Sequence, residues 1–164
     1  MAVVARTLVD ISPTEPIGTI TRTLNAPREV VWRAVSEPRH LVQWWGPHGY
    51  TNAVTVYDFR VGGRWQIHTV IPNGPTVVFQ GEFHEIAAPE KIVRTFGMEG
   101  MWAGRYALET LTLEADRQRT IYRATSRFAS RADFEGMIAS GMEKGMNEGF
   151  ERLDELLARL AAAA

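Results

Sequence analysis

Five charged residues on strand-like segments, Glu82, Glu85, Arg94, Glu109 and Arg123, are the groups of this chain best placed to do chemistry. An arginine and a glutamate that both faced the interior would need each other, because breaking a buried ion pair leaves an uncompensated charge. Inside an apolar cavity such a pair could orient the polar head of a ligand, or act as acid and base. If all five face outward, one solvated sheet face explains them without a function. The four histidines, His40, His48, His68 and His84, fall at no metal-ligand spacing such as H-E-x-x-H. His40 and His48 flank a double tryptophan, and His68 and His84 fall on polar strand faces, so a structural or solvent-facing role suits each better than catalysis. The sequence holds no G-x-S-x-G elbow, phosphate loop or dinucleotide fingerprint. Gly62-Gly63 reads as a hairpin turn. No catalytic residue, metal ligand or cofactor is therefore expected.

Composition narrows the classes further. The 164 residues suit one domain, and at this size about 70% of the unfolded surface can be buried without staples. The chain has no cysteine, which removes disulfides, thiol nucleophiles and cysteine metal sites. A net charge of -1 argues against a general nucleic-acid binder. No apolar run is long enough to span a bilayer, and the N-terminus lacks the pattern of a signal peptide, so a cytoplasmic protein without membrane insertion is expected.

Seven strands are expected, over Ile17–Leu24, Ala53–Phe59, Arg64–Ile71, Thr76–Ile86, Lys91–Phe96, Leu108–Glu114 and Thr120–Ser126. Their short connections imply antiparallel hairpins. Matching the apolar faces of Arg64–Ile71 and Thr76–Ile86 sets Ile67 across from Phe79 and Trp65 across from Gly81, since a slip of one residue would turn a whole strand over. An indole over a glycine either leaves room in front of the sheet or packs the core. Residues 1–16 read as a partly ordered leader: Thr7–Ile11 has strand character, but Ser12-Pro13 and Glu15-Pro16 break it. Residues 17–160 form the single domain.

Asn25-Ala26-Pro27 turns the chain from strand into a first short helix through Ser36, and Glu37-Pro38 opens a second that Gly46-Pro47 stops. The spacing of Leu41, Val42 and Trp45 turns Trp45 inward, with Trp44 at the rim. Ser130–Leu160 reads as one long helix, with a stripe of Ile138, Met142, Met146, Phe150, Leu153, Leu157 and Leu160. Beside the stripe lie Gly141, Gly145 and Gly149. Each costs about 1 kcal/mol against alanine in a helix interior. Close backbone approach to the sheet is the favoured reason for them, and room for a guest is the other.

A strand ending R-T-L-N-A-P, then R-E-V-V-W-R-A and E-P-x-H-L-x-Q-W-W-G-P, resembles the AHSA-type proteins, relatives of the activator of the Hsp90 ATPase. Asp58–Trp65 (DFRVGGRW), Gly81–Phe96, Leu111–Thr120 and Gly145–Leu157 carry the likeness across Ile17–Leu160. The resemblance implies the α+β helix-grip fold of the START-like superfamily, shared with the major birch pollen allergen. That is a curved antiparallel sheet around a long C-terminal helix, with two short helices closing one end. It also implies that the space between sheet and helix can hold lipids, hormones or polyketides, and that some relatives are cyclases or aromatases. Where the family often has Gly-Trp, this chain has Gly145-Met146, a slimmer and more adaptable side chain.

The favoured expectation is a non-enzymatic binder of a small hydrophobic or amphipathic molecule. Trp45, Trp65, Ile67, Phe79, Phe83, Met142, Met146 and Phe150 are the expected ligand-binding residues. One alternative is a cyclase, aromatase, dehydratase or hydrolase acting on a polyketide-like or aromatic substrate. Another is a chaperone-interacting module, which a lone domain inherits poorly from multidomain relatives. A homodimer through an exposed sheet edge or the leader is compatible with the pattern.

Overall fold

The computed structural model describes residues 7–100 and 104–163. The chain runs β1 (Thr7–Ile11), β2 (Ile17–Leu24), α1 (Arg28–Ser36), α2 (Pro38–Trp44), β3 (Thr51–Tyr57), β4 (Arg64–Val70), β5 (Thr76–Ala87), β6 (Lys91–Met98), β7 (Ala107–Asp116), β8 (Arg119–Arg127), α3 (Arg131–Ala139) and α4 (Met142–Ala163). The described strands form one antiparallel sheet of eight in the order β1-β2-β8-β7-β6-β5-β4-β3. With α1 and α2 at one end and a long C-terminal helix, the fold is the expected α+β helix grip. Among the described residues no helix is long and apolar enough to cross a membrane.

The strand beyond the expected seven is β1, which pairs with β2 from Thr7↔Arg22 to Ile11↔Gly18. The Ser-Pro and Glu-Pro steps that looked like breaks form the hairpin turn. Ser12 Oγ accepts from the Glu15 N–H at 3.0 Å, and the Ser12 N–H donates to the Ile17 carbonyl at 3.0 Å. Arg131 clamps this turn, donating to the carbonyls of Ser12 and Glu15. Residues 1–6 of the expected leader lie outside the described residues.

The hairpin registers follow the apolar faces: Ile67 stands opposite Phe79, and Trp65 opposite Gly81. A Cβ on Gly81 would lie 1.8 Å from the Thr95 carbonyl oxygen and 2.7 Å from Trp65 Nε1. The indole thus fills the space over the glycine, and its N–H donates to that same carbonyl at 3.3 Å. Trp65 is 1% exposed, so the pairing packs the core and leaves no hollow there.

The expected single helix Ser130–Leu160 is two helices. Ser130 caps α3 by accepting from the Asp133 N–H, and α3 ends at Ala139, with Ser140 as its C-cap. Gly141 follows at φ +83°, the left-handed conformation that ends helices and that glycine adopts without a Cβ penalty. The other two glycines are packing positions, and they face the Trp44–Pro47 loop instead of the sheet. A Cβ on Gly145 would meet Pro47 at 3.3 Å, and one on Gly149 would meet the Trp44 carbonyl oxygen at 3.4 Å. Beyond them, Phe150, Leu153, Leu156 and Leu157 of α4 are buried against Val31 and Val35 of α1 and Leu111, Leu113 and Tyr122 of the sheet. Each such leucine contributes about 1.5–3 kcal/mol.

Candidate ligand-binding site

Strand alternation places Ile92, Arg94 and Phe96 of β6 on the concave face, with Val93 and Thr95 on the other. Arg94 stands directly across from Glu109 of β7. Its Nε and Nη2 both converge on Glu109 Oε1, at 3.0 and 2.9 Å. The pair keeps only 11% and 17% of its side-chain surface exposed. The same guanidinium lies 4.8 Å from the centre of the Trp65 ring and 5.5 Å from that of Trp45. Of the five charged strand residues, these two turn inward and meet, whereas Glu82, Glu85 and Arg123 are exposed.

Trp45 sits at the centre of an aromatic group. Its ring is 5.9 Å from Trp65, 5.6 Å from Phe79 and 6.3 Å from Phe96. Trp44 turns the other way and donates its ring N–H to the Ala34 carbonyl at 2.9 Å. Both tryptophans are half-buried, so neither is wholly at the rim. The loop after α2 is fastened from two sides. Asn52 Nδ2 donates to the Trp45 carbonyl at 2.7 Å, and Arg152 Nη1 of α4 donates to the carbonyls of Trp45, Gly46 and Pro47.

Two tyrosines border the same face. Burial pushes the Tyr57 hydroxyl up to about 12, against the pull of Arg94, and Tyr57 donates to the Ser36 carbonyl. Burial also raises Tyr122, and the Glu109 carboxylate adds to the effect. Both phenols stay protonated at neutral pH. Among the described residues, no three His, Asp or Glu side chains gather to hold a metal.

A cavity of about 80 Å³ lies between the helices and the free-edge side of the sheet. Met142 and Met146 of α4 and Phe134 and Ile138 of α3 cover it; Val9 and Ile11 of β1, Gly18 of β2 and Ser126 of β8 form the opposite wall. Gly18, Ser126, Glu109 and Arg94 are successive Cα partners across four strands. Glu109 is therefore one strand beyond Ser126, at the usual spacing of about 4.8 Å, and the cavity lining stops short of the ion pair.

The structure divides the expected ligand-binding residues into two groups. Trp65, Ile67, Phe83 and Phe150 are buried in the main core, with Trp45 and Phe79 packed against it. Met142 lines the cavity, and Met146 both lines it and packs against that core. The wall from Val9, Ile11, Gly18 and Ser126 was not foreseen. One signal was available: a glycine inside the β-branched strand Ile17–Leu24 marks a close approach. A Cβ there would meet the Phe134 ring at 3.1 Å.

The family described as Activator of Hsp90 ATPase homolog 1-like protein matches residues 25–158. Among solved structures, a protein from Arthrobacter aurescens is 27% identical, with a TM-score of 0.85 over 93% of this chain and 91% of that one. A Rhodobacter sphaeroides protein is 21% identical, with a TM-score of 0.84 over 94% of this chain and 99% of its own. A Mycobacterium smegmatis protein, also 21% identical, gives 0.83 over 93% and 97%. The latter two likenesses concern the fold alone. Among curated proteins, none matches the sequence.

Proposed function

Because the chain belongs to the Activator of Hsp90 ATPase homolog 1-like family, we propose that it binds a small hydrophobic or amphipathic molecule between the sheet and α4, without turnover. The observation that carries this reading is the cavity under Met142 and Met146, floored by Gly18 and Ser126. Its volume of about 80 Å³ is small beside the roughly 300–1,000 Å³ of pockets for drug-sized guests. A small guest fits after modest adjustment, and a larger one requires the two methionines to re-pack. Their unbranched thioether chains suit that task. Gly141, at φ +83°, separates α3 from α4 beside this wall.

A guest that moved Met146 aside would next meet the wall of Trp45, Trp65 and Phe79, with Ile67, Phe83 and Phe150 behind it. Affinity would come from apolar burial, about 25 cal/mol per Å² before ordering costs.

The test is Met146→Trp, with naphthalene titrated against the protein and tryptophan fluorescence as the readout. The added indole should fill the cavity, weakening naphthalene binding at least about tenfold while the melting temperature holds or rises. Unchanged affinity would locate the pocket elsewhere and overturn the reading.

A further inference from the structure

We infer that the cavity under Met142 and Met146 takes a short aliphatic amine, its alkyl chain inside and its ammonium at the mouth beside Glu143; the inference rests on the ligand-binding reading above. The lining is the first argument. Of the described residues that wall the cavity, only Glu143 carries a charge. The other polar side chains there are the hydroxyls of Thr19 and Ser126, and Thr19 Oγ1 already shares a hydrogen bond with Thr125 Oγ1 at 3.2 Å. A hydroxyl, both donor and acceptor, does not choose between a cationic and an anionic head; a carboxylate does.

Place is the second argument. Glu143 is exposed, and it also lines an open groove along the outer side of α4 with His48, Lys144, Asn147, Glu148 and Glu151. It stands at the border between cavity and solvent. A head group at that border stays hydrated while the chain behind it leaves water, as a lysine stem lies on apolar surface with its ammonium in water. At about 30 Å³ for each water-sized group, a cavity of about 80 Å³ holds roughly three carbons. A butyl chain fills it and leaves its last carbon and its head at the mouth.

Charge is the third. Glu143 forms no ion pair among the described residues. On the elements that enclose the cavity, Arg22 of β2 is held by Asp154, Arg127 of β8 by Glu15 and Arg131 of α3 by Glu135. Lys144 is the cation of the outer groove, where Glu143, Glu148 and Glu151 outnumber it. One influence opposes the cation. The first N–H groups of α4 carry partial positive charge and draw anions, but Glu143 stands in that first turn and offsets them. The sign of the preference therefore hangs on one side chain.

Three probes share a four-carbon chain and differ in the charge of the head: n-butylamine, 1-butanol and butyrate. Each is titrated at neutral pH into protein carrying carbon-13 at its methionine methyls, and the Met142 and Met146 signals report affinity. The wild-type protein should bind n-butylamine at least about threefold more tightly than 1-butanol, the scale of an exposed ion pair, with butyrate weakest. Salt at about 1 M, where screening acts within about 3 Å, should shrink that gap. Glu143→Gln should bring butyrate up to n-butylamine, and Glu143→Lys should put butyrate first. Both replace an exposed side chain, so the fold should tolerate them. Equal wild-type binding of n-butylamine and 1-butanol, or an unchanged order in Glu143→Lys, overturns the amine assignment and leaves the cavity reading standing. Silence of both methionine signals towards all three probes overturns the cavity reading as well.

Discussion

Arg152 on α4 donates to the Trp45 carbonyl at 3.0 Å across 107 residues of sequence, and the same Nη1 reaches Gly46 and Pro47 at 3.0 and 2.9 Å. One cation thereby satisfies the open carbonyls after α2 and fixes the backbone from which the Trp45 ring projects. Arg152→Met should cost about 2–3 kcal/mol, the scale of hydrogen bonds from a charged donor. Urea denaturation measures it. Arg152→Lys, which retains the charge and three donors, should recover part of the loss.

Gly81 cannot accept a side chain. A Cβ there would lie 1.8 Å from a backbone oxygen, and backbone does not rotate away. Gly81→Ala should destabilise by about 3 kcal/mol, the upper range of overpacking, and should disturb the near-UV circular dichroism of Trp65. Native stability in this variant would contradict the packing described.

Stability should fall as the pH drops below about 6.5, the ordinary value for histidine. His40 is 7% exposed, and neither ring nitrogen has a hydrogen-bond partner among the described residues. Burial holds its pKa below 6.5, opposed by Glu37, while Arg39 and Arg33 add to the depression. The unfolded chain therefore takes up a proton before the folded one does. The contribution is fully present above 6.5 and is lost as pH falls towards the lower folded value. His40→Leu should flatten this part of a pH series of urea midpoints.

Ser130→Ala should cost about 1 kcal/mol, the usual value of a lost N-cap. Ser130 Oγ accepts from the Asp133 N–H at 3.1 Å at the start of α3. That helix brings Phe134 and Ile138 to the cavity. Faster amide exchange confined to α3 would accompany the loss.

Alternation made the sheet legible. Trp65, Ile67 and Phe79 differ so clearly from their neighbours that only one register buries them, and that register is the one observed. The helix break was hidden because Gly141 falls in step with Gly145 and Gly149, and spacing alone cannot tell a terminus from a packing notch. β1 was obscured by Pro13 and Pro16, which punctuate a turn as readily as they end order. Arg94 and Glu109 stood out as candidates by type, but β6 carries bulky residues on both faces, so their direction was not readable. The cavity wall was hardest to read. Gly18 and Ser126 are small, and a void leaves no hydropathy signature.

Residues 25–158 carry the family likeness, yet Val9, Ile11 and Gly18, which wall the cavity, all precede that span. A chain trimmed back to Ile17 would retain its ion pair and its aromatic cluster, while its enclosed chamber became an open notch beside a newly bared strand. The β1–β2 hairpin is thus what separates a walled cavity from a bare groove.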